Sequence, residues 1–167
     1  MSTASKLTST VLLLLGSAGA QAGNCQLTIE GNDLMQFSQR QLQVAADCTS
    51  VEVTLKHTGK QPIKVMGHDL VLAKTSDLNA LVIAGMNAGL ANNFLVANDP
   101  RIIAATPVIG GGESATIRFS TAKLQVGGDY AFFCTYPGHY ALMKGAFIFG
   151  ERPGARVASV PAAPGTT

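Results

Sequence analysis

Residues 130–143 read Tyr130-Ala131-Phe132-Phe133-Cys134-Thr135-Tyr136-Pro137-Gly138-His139-Tyr140-Ala141-Leu142-Met143. An aromatic strand ends in a cysteine, and a loop bent at Pro137-Gly138 follows. The spacing is Cys-x4-His-x3-Met. A thiolate, an imidazole and a thioether on one short loop are soft N/S donors that select copper, and a His2Cys set with a weak axial Met is the blue-copper pattern. The pattern needs a second histidine, and the chain offers only His57 and His68. His68 lies in Val65-Met66-Gly67-His68-Asp69, just before a predicted strand. Gly67 lets the backbone come close, so its carbonyl is a further candidate donor. His57 ends a strand whose odd positions point inward, which predicts a buried histidine beside the site. The expected metal ligands are the Gly67 carbonyl oxygen, His68, Cys134, His139 and Met143.

Working outward, period-2 alternation recurs. Leu27 and Ile29 alternate with Gln26, Thr28 and Glu30; Val51, Val53 and Leu55 with Glu52, Thr54 and Lys56; Ala115, Ile117 and Phe119 with Thr116 and Arg118. These predict half-buried strands of an antiparallel sheet. Residues 40–45, 70–73, 130–134 and 146–149 are further strand candidates. Gly31-Asn32, Thr58-Gly59, Gly110–Gly112 and Gly127-Gly128 mark turns. About eight short strands separated by turns predict an all-β sandwich or barrel. One segment breaks the pattern. Ser76 or Asp77 is placed to cap a helix with Leu78, Leu81, Val82 and Met86 on one face, ended by Gly89. It reads as a helical flap inserted between strands.

Both ends stand apart from this domain. Lys6, the apolar run at residues 11–15 and Ala20-Gln21-Ala22 make a secretory signal cleaved after Ala22, so residues 1–22 are excluded from the fold. Residues 151–167, with three prolines and no strand or helix period, predict a flexible tail. The domain is then 23–150. Of the 12 Lys/Arg, Lys6, Arg152 and Arg156 fall outside it, and of the 10 Asp/Glu only Glu151 does, leaving the domain neutral. Charge is 13% of the chain and mean hydropathy +0.25, which fits a packed core rather than disorder. A net charge of +2 gives no nucleic-acid footprint. No apolar run reaches the roughly 18 residues that span a bilayer. Export implies an oxidising compartment. Cys25 and Cys48 have no His or Met close by in sequence, so a Cys25–Cys48 disulfide is expected, contributing about 3 kcal/mol by loop closure.

On Cys25, Cys48, the stretch at residues 31–37, Val65-Met66-Gly67-His68, and Phe132-Phe133-Cys134 through Met143-Lys144-Gly145, the chain resembles the azurins, small blue-copper proteins of the cupredoxin family. The resemblance covers nearly the whole domain. It implies a Greek-key β-sandwich with one mononuclear copper at its end. It implies a periplasmic electron carrier, a monomer with c-type cytochromes or copper-containing reductases as partners. An apolar docking patch around the exposed edge of His139 is implied too, at Met35, Met66, Met86, Pro137 and Gly138. Asp69 stands where azurins usually carry Asn, and Tyr136 where they usually carry Phe; with His57 these residues adjoin the ligands. Leu70 takes the place of a tryptophan buried in some azurins.

Two other classes compete. An enzyme with Cys134 as nucleophile and His139 as base needs an open pocket and an oxyanion site, and a Met at the end of the loop argues against it. A copper store or delivery protein, or a zinc protein, shares the donor set and differs in redox behaviour.

Overall fold

The computed structural model describes residues 25–150. The expected signal segment and the C-terminal tail lie outside the described residues. Nine strands form two packed sheets: β1 (Gln26–Asn32), β2 (Gln36–Phe37), β3 (Gln41–Ala45), β4 (Ser50–His57), β5 (Val71–Lys74), β6 (Ile102–Ala105), β7 (Ser114–Ser120), β8 (Tyr130–Phe133) and β9 (Lys144–Gly150). One sheet has the order β2-β1-β4-β7 and the other β3-β9-β8-β5-β6. The all-β sandwich with one helical insertion is as the sequence predicts.

The alternating strands behave as expected. In β4, Val51, Val53, Leu55 and His57 are buried, while the residues between them are half-buried or exposed. Val51, Val53 and Leu55 pack on Ile29, Phe37, Leu42, Val44, Leu70, Phe132 and Phe147 to form the main core. β8 is different: all four residues are buried. Phe132 enters the main core. Phe133 and Ala131 face the other way, under Leu78, Leu81 and Val82 of α2 (Leu78–Ala88). A strand covered on both faces loses the polar half of its alternation, which accounts for the apolar run 130–134.

Four expectations need correction. β1 and β4 pair in parallel, Gln26 opposite Glu52 through Gly31 opposite His57, although β4 and β7 are antiparallel. The chain crosses to the other sheet as β3 before returning, so β4 runs in the same direction as β1. Gly31 and Asn32 belong to β1, and the turn begins one residue later. On α2, Met86 does not share the buried face; it is 44% exposed, and Gly85 is buried instead. Asp77 sits at the N-cap, yet its side chain makes no capping bond. A single 3-10 turn, Thr75–Asp77, leads into the helix, and the Leu78 N–H donates to the Thr75 carbonyl. Gly89 ends α2 with φ +74°, as its freedom in the left-handed region allows. The sequence pattern had not marked β2, β6 or the one-turn helix α1 (Ile63–Met66).

Candidate metal centre

Two segments meet at one end of the sandwich. β5 pairs antiparallel with β8, Val71 opposite Phe133. The residues preceding β5 therefore lie beside those following β8, which brings His68 to Cys134. His68 is tied to Ile109 by two backbone hydrogen bonds, 3.0 and 2.8 Å. The loop after Cys134 closes on itself. The Met143 N–H donates to the His139 carbonyl at 2.8 Å, and the Cys134 N–H to the Met143 carbonyl at 3.0 Å. Gly138 has φ +82°, so this bend calls for a glycine.

His68, Cys134 and His139 are all buried, and their donor atoms lie within 4.8 Å of one another. Cys134 Sγ and His139 Nδ1 are 3.7 Å apart. Metal–donor bonds of about 2.0–2.3 Å put two donors on one ion at such a separation. His68 settles its own tautomer. Its Nε2 lies 2.9 Å from the Asn32 carbonyl oxygen, which only accepts, so Nε2 carries the proton. Nδ1 is left with a bare lone pair, and it is the one buried side-chain N or O atom without a partner among the described residues.

His57 is a contrast. Its Nε2–H donates to the Met66 carbonyl at 2.7 Å, and its Nδ1 accepts from the Gly59 N–H at 3.1 Å. Both nitrogens are satisfied, so His57 offers nothing to a metal. Its ring is buried and stacks on His68 at 4.3 Å.

Met143 is fully buried. A Cβ at Gly31 would stand 2.8 Å from the His68 ring and 3.3 Å from the Met143 methyl. Gly31 is therefore small because the thioether and imidazole converge there. Gly67 is tight for another reason: a Cβ would press on Val108 at 2.6 Å, the Ile63 carbonyl at 2.7 Å and the Tyr136 ring at 2.8 Å. Sequence reading had not singled out Gly31 as a spacer, Asn32 as the acceptor that aims His68, or Thr135 as the partner of Asp69.

Asp69 ties the two ligand segments together. The Thr135 N–H donates to Oδ1 at 2.7 Å and the Thr135 hydroxyl to Oδ2 at 2.5 Å. Burial pushes this carboxyl up to about 6 against the pull of those donors. Burial also raises the Cys134 thiol well above its ordinary range, and Asp69 adds to the effect. The same burial lowers His68 and brings His139 down to about 4. Two neutral imidazoles, one with an unpartnered nitrogen, beside a thiol that ionises only against a cation make a site suited to a metal ion.

The expected exposed edge of His139 is nearly closed: the residue is 3% exposed. Pro137 and Gly138 beside it are exposed, and Met35 and Met66 are half-buried. Sequence reading missed Leu34, Val65 and Leu142, exposed apolar neighbours of Met35, Met66 and Met143.

Fold and site together define a β-sandwich metalloprotein with a buried His-Cys-His centre at one end. Residues 23–150 match the family of copper binding proteins described as plastocyanin/azurin. An azurin of Alcaligenes faecalis is 48% identical over 127 residues, covering 76% of this chain and 99% of that protein. An azurin of Bordetella pertussis is 49% identical over 134 residues, 80% of this chain and 89% of its own. Among solved structures, the azurin Az-iso2 of Methylomonas sp. strain J superposes with a TM-score of 0.74 at 39% identity, covering 77% of this chain and 99% of that one. The chain belongs to the copper-binding plastocyanin/azurin family, and copper is its cofactor.

Proposed function

We propose that this chain is an electron carrier with one copper ion held by the Gly67 carbonyl oxygen, His68, Cys134, His139 and Met143. The observation that carries this reading is the unpartnered His68 Nδ1, buried within reach of Cys134 and His139. Bound copper supplies a Cu(I)/Cu(II) couple. The protein's part is positional. Asn32 fixes the tautomer of His68. Phe132 and Phe133, packed on opposite faces of β8, anchor the strand that ends in Cys134. Cys134 is wholly shielded from solvent. A ligand set held this way changes little between oxidation states. No substrate bond is made or broken. The cavity of about 380 Å³ between α2 and β8–β9 is lined by Thr75, Leu78, Tyr130 and Lys144 among others, and by no candidate ligand.

Electrons enter and leave at His139, through the apolar surface of Met35, Met66, Met86, Pro137 and Gly138. Leu34, Val65 and Leu142, exposed on the same loops, extend it. A small uncharged patch gives weak, short-lived encounters, which suits a carrier that must dissociate quickly. The partners are redox proteins of the c-type cytochrome or copper-reductase kind. The working location is the periplasm, reached through the N-terminal signal, and the carrier acts as a monomer.

Voltammetry tests this reading. The copper-loaded protein should give one reversible one-electron wave. Met66→Lys or Met86→Lys should slow electron exchange between copies and with a cytochrome, with the absorption spectrum unchanged, because docking would bury an unpaired charge. Copper that is bound but not reversibly reduced would favour storage or delivery instead.

A further inference from the structure

The segment after α2 reaches the metal end through two strained residues. Asn93 and Phe94 both adopt left-handed backbone, with φ of +53° and +50°. Asn tolerates this region, but a bulky Phe is rarely found there. Local bonds hold the pair in place: the Asn93 N–H donates to the Leu90 carbonyl and the Phe94 N–H to the Gly89 carbonyl, both at 2.9 Å. The Phe94 carbonyl lies so close over Gly85 that any side chain there would collide with it.

The strained backbone delivers two contacts. The Asn93 carboxamide oxygen accepts from the Val108 N–H at 2.9 Å. The buried Phe94 ring meets Tyr136 edge-on, with centroids 5.1 Å apart. The Tyr136 ring in turn lies 4.7 Å from the ring of His139. Val108 and Tyr136 are also two of the groups packed against Gly67. One strained pair thus supports both ligand-bearing segments.

Resting on the assignment of His139 as a ligand, we propose that Phe94 is a positioning residue of the metal centre, wedging Tyr136 between Gly67 and His139 so that His139 stays aimed at the ion. The flap then acts as a bracket on the site as well as a cover for the sheet.

The test follows loss of copper from the Cu(II)-loaded protein to excess EDTA, together with denaturant unfolding of the metal-free and loaded forms. Phe94→Leu keeps a buried apolar side chain and removes the ring. It should release copper about tenfold faster or more, the range seen when groups supporting a ligand are removed. It should also lose more stability loaded than metal-free. Phe94→Tyr, which keeps the ring, should match the wild type. Unchanged release from Phe94→Leu, with equal stability losses in both forms, would reduce Phe94 to flap packing. His139→Gly separates the two readings. If it releases copper as slowly as the wild type, the ligand assignment falls and the bracket with it. If it releases quickly while Phe94→Leu does not, only the bracket falls.

Discussion

Asp69 and His139 pull the pH dependence of the metal-free protein in opposite directions. The Asp69 carboxyl, ordinarily at 3.8, is raised to about 6 by burial. The folded state therefore binds that proton more tightly than the unfolded chain, and stability falls as pH rises from about 4 to about 6. His139 is lowered to about 4 from its ordinary 6.5, by burial and by the nearby His68 and His57. The unfolded chain takes up that proton first, so stability falls as pH drops through the same window. Asp69→Asn removes the first effect and leaves the second. In chemical denaturation of the metal-free proteins, stability of the variant relative to the wild type should rise between pH 4 and pH 6, by up to about 3 kcal/mol. A difference that stays flat across that window would show that Asp69 does not titrate there. Gly31→Ala tests the spacing. The added methyl would press on the His68 ring and the Met143 methyl, so the metal-free protein should lose about 1–3 kcal/mol by overpacking. The copper spectrum should be displaced as well. An unaltered spectrum would mean that Met143 and His68 can move apart without cost. These residues show where the sequence was readable. Cys134, His139 and Met143 share one loop, and their chemistry shows in their spacing. Asn32 acts on His68 across a sequence separation of 36, and Gly31 lies one residue further off, so only the fold brings them together.

Among the elements, the flap helix and its two ends were legible, but Asp77 at the N-cap makes no side-chain capping bond. Leu78, Leu81 and Val82 follow the helical period and are buried against β5 and β8. Met86 falls at the margin of that face and is 44% exposed, with Gly85 buried in its stead. β6 was missed because Ile102-Ile103-Ala104-Ala105 has no alternation and all four residues are half-buried. α1 was missed because one turn is too short to show a period. The parallel pairing of β1 with β4 depends on a crossover between sheets, which alternation within a strand does not encode. If the flap is held by its apolar face, Leu81→Ala should cost about 2–5 kcal/mol in urea unfolding. The copper spectrum should persist, since Leu81 belongs to the cluster under α2 and not to the main core that holds Cys134 and Met143. A cost below about 1 kcal/mol would indicate that the flap is held chiefly by the Asn93–Phe94 bracket.

At the scale of the whole molecule, the two special features sit at opposite ends of β1. The Cys25–Cys48 disulfide closes a loop of sequence separation 23 at the start of the strand, and Gly31 packs on His68 near its finish. Six residue steps of extended chain separate them, roughly 20 Å. Stability and electron transfer are therefore separable. The double variant Cys25→Ser with Cys48→Ser should unfold about 3 kcal/mol more easily and keep the wild-type copper spectrum. A changed spectrum would show that the bridge shapes the metal end. With Cys25 and Cys48 bridged, Cys134 is the free, buried thiol among the described residues. The central claim is that this thiol becomes a copper thiolate in a one-electron carrier. Its most direct test is visible absorption on adding Cu(II) to the metal-free wild type and to Cys134→Ser. The wild type should turn intensely blue, bleach with a mild reductant and recover on reoxidation, while Cys134→Ser should stay pale with its fold intact. An equally intense band in Cys134→Ser, or a wild type that binds copper without turning blue, would contradict the account.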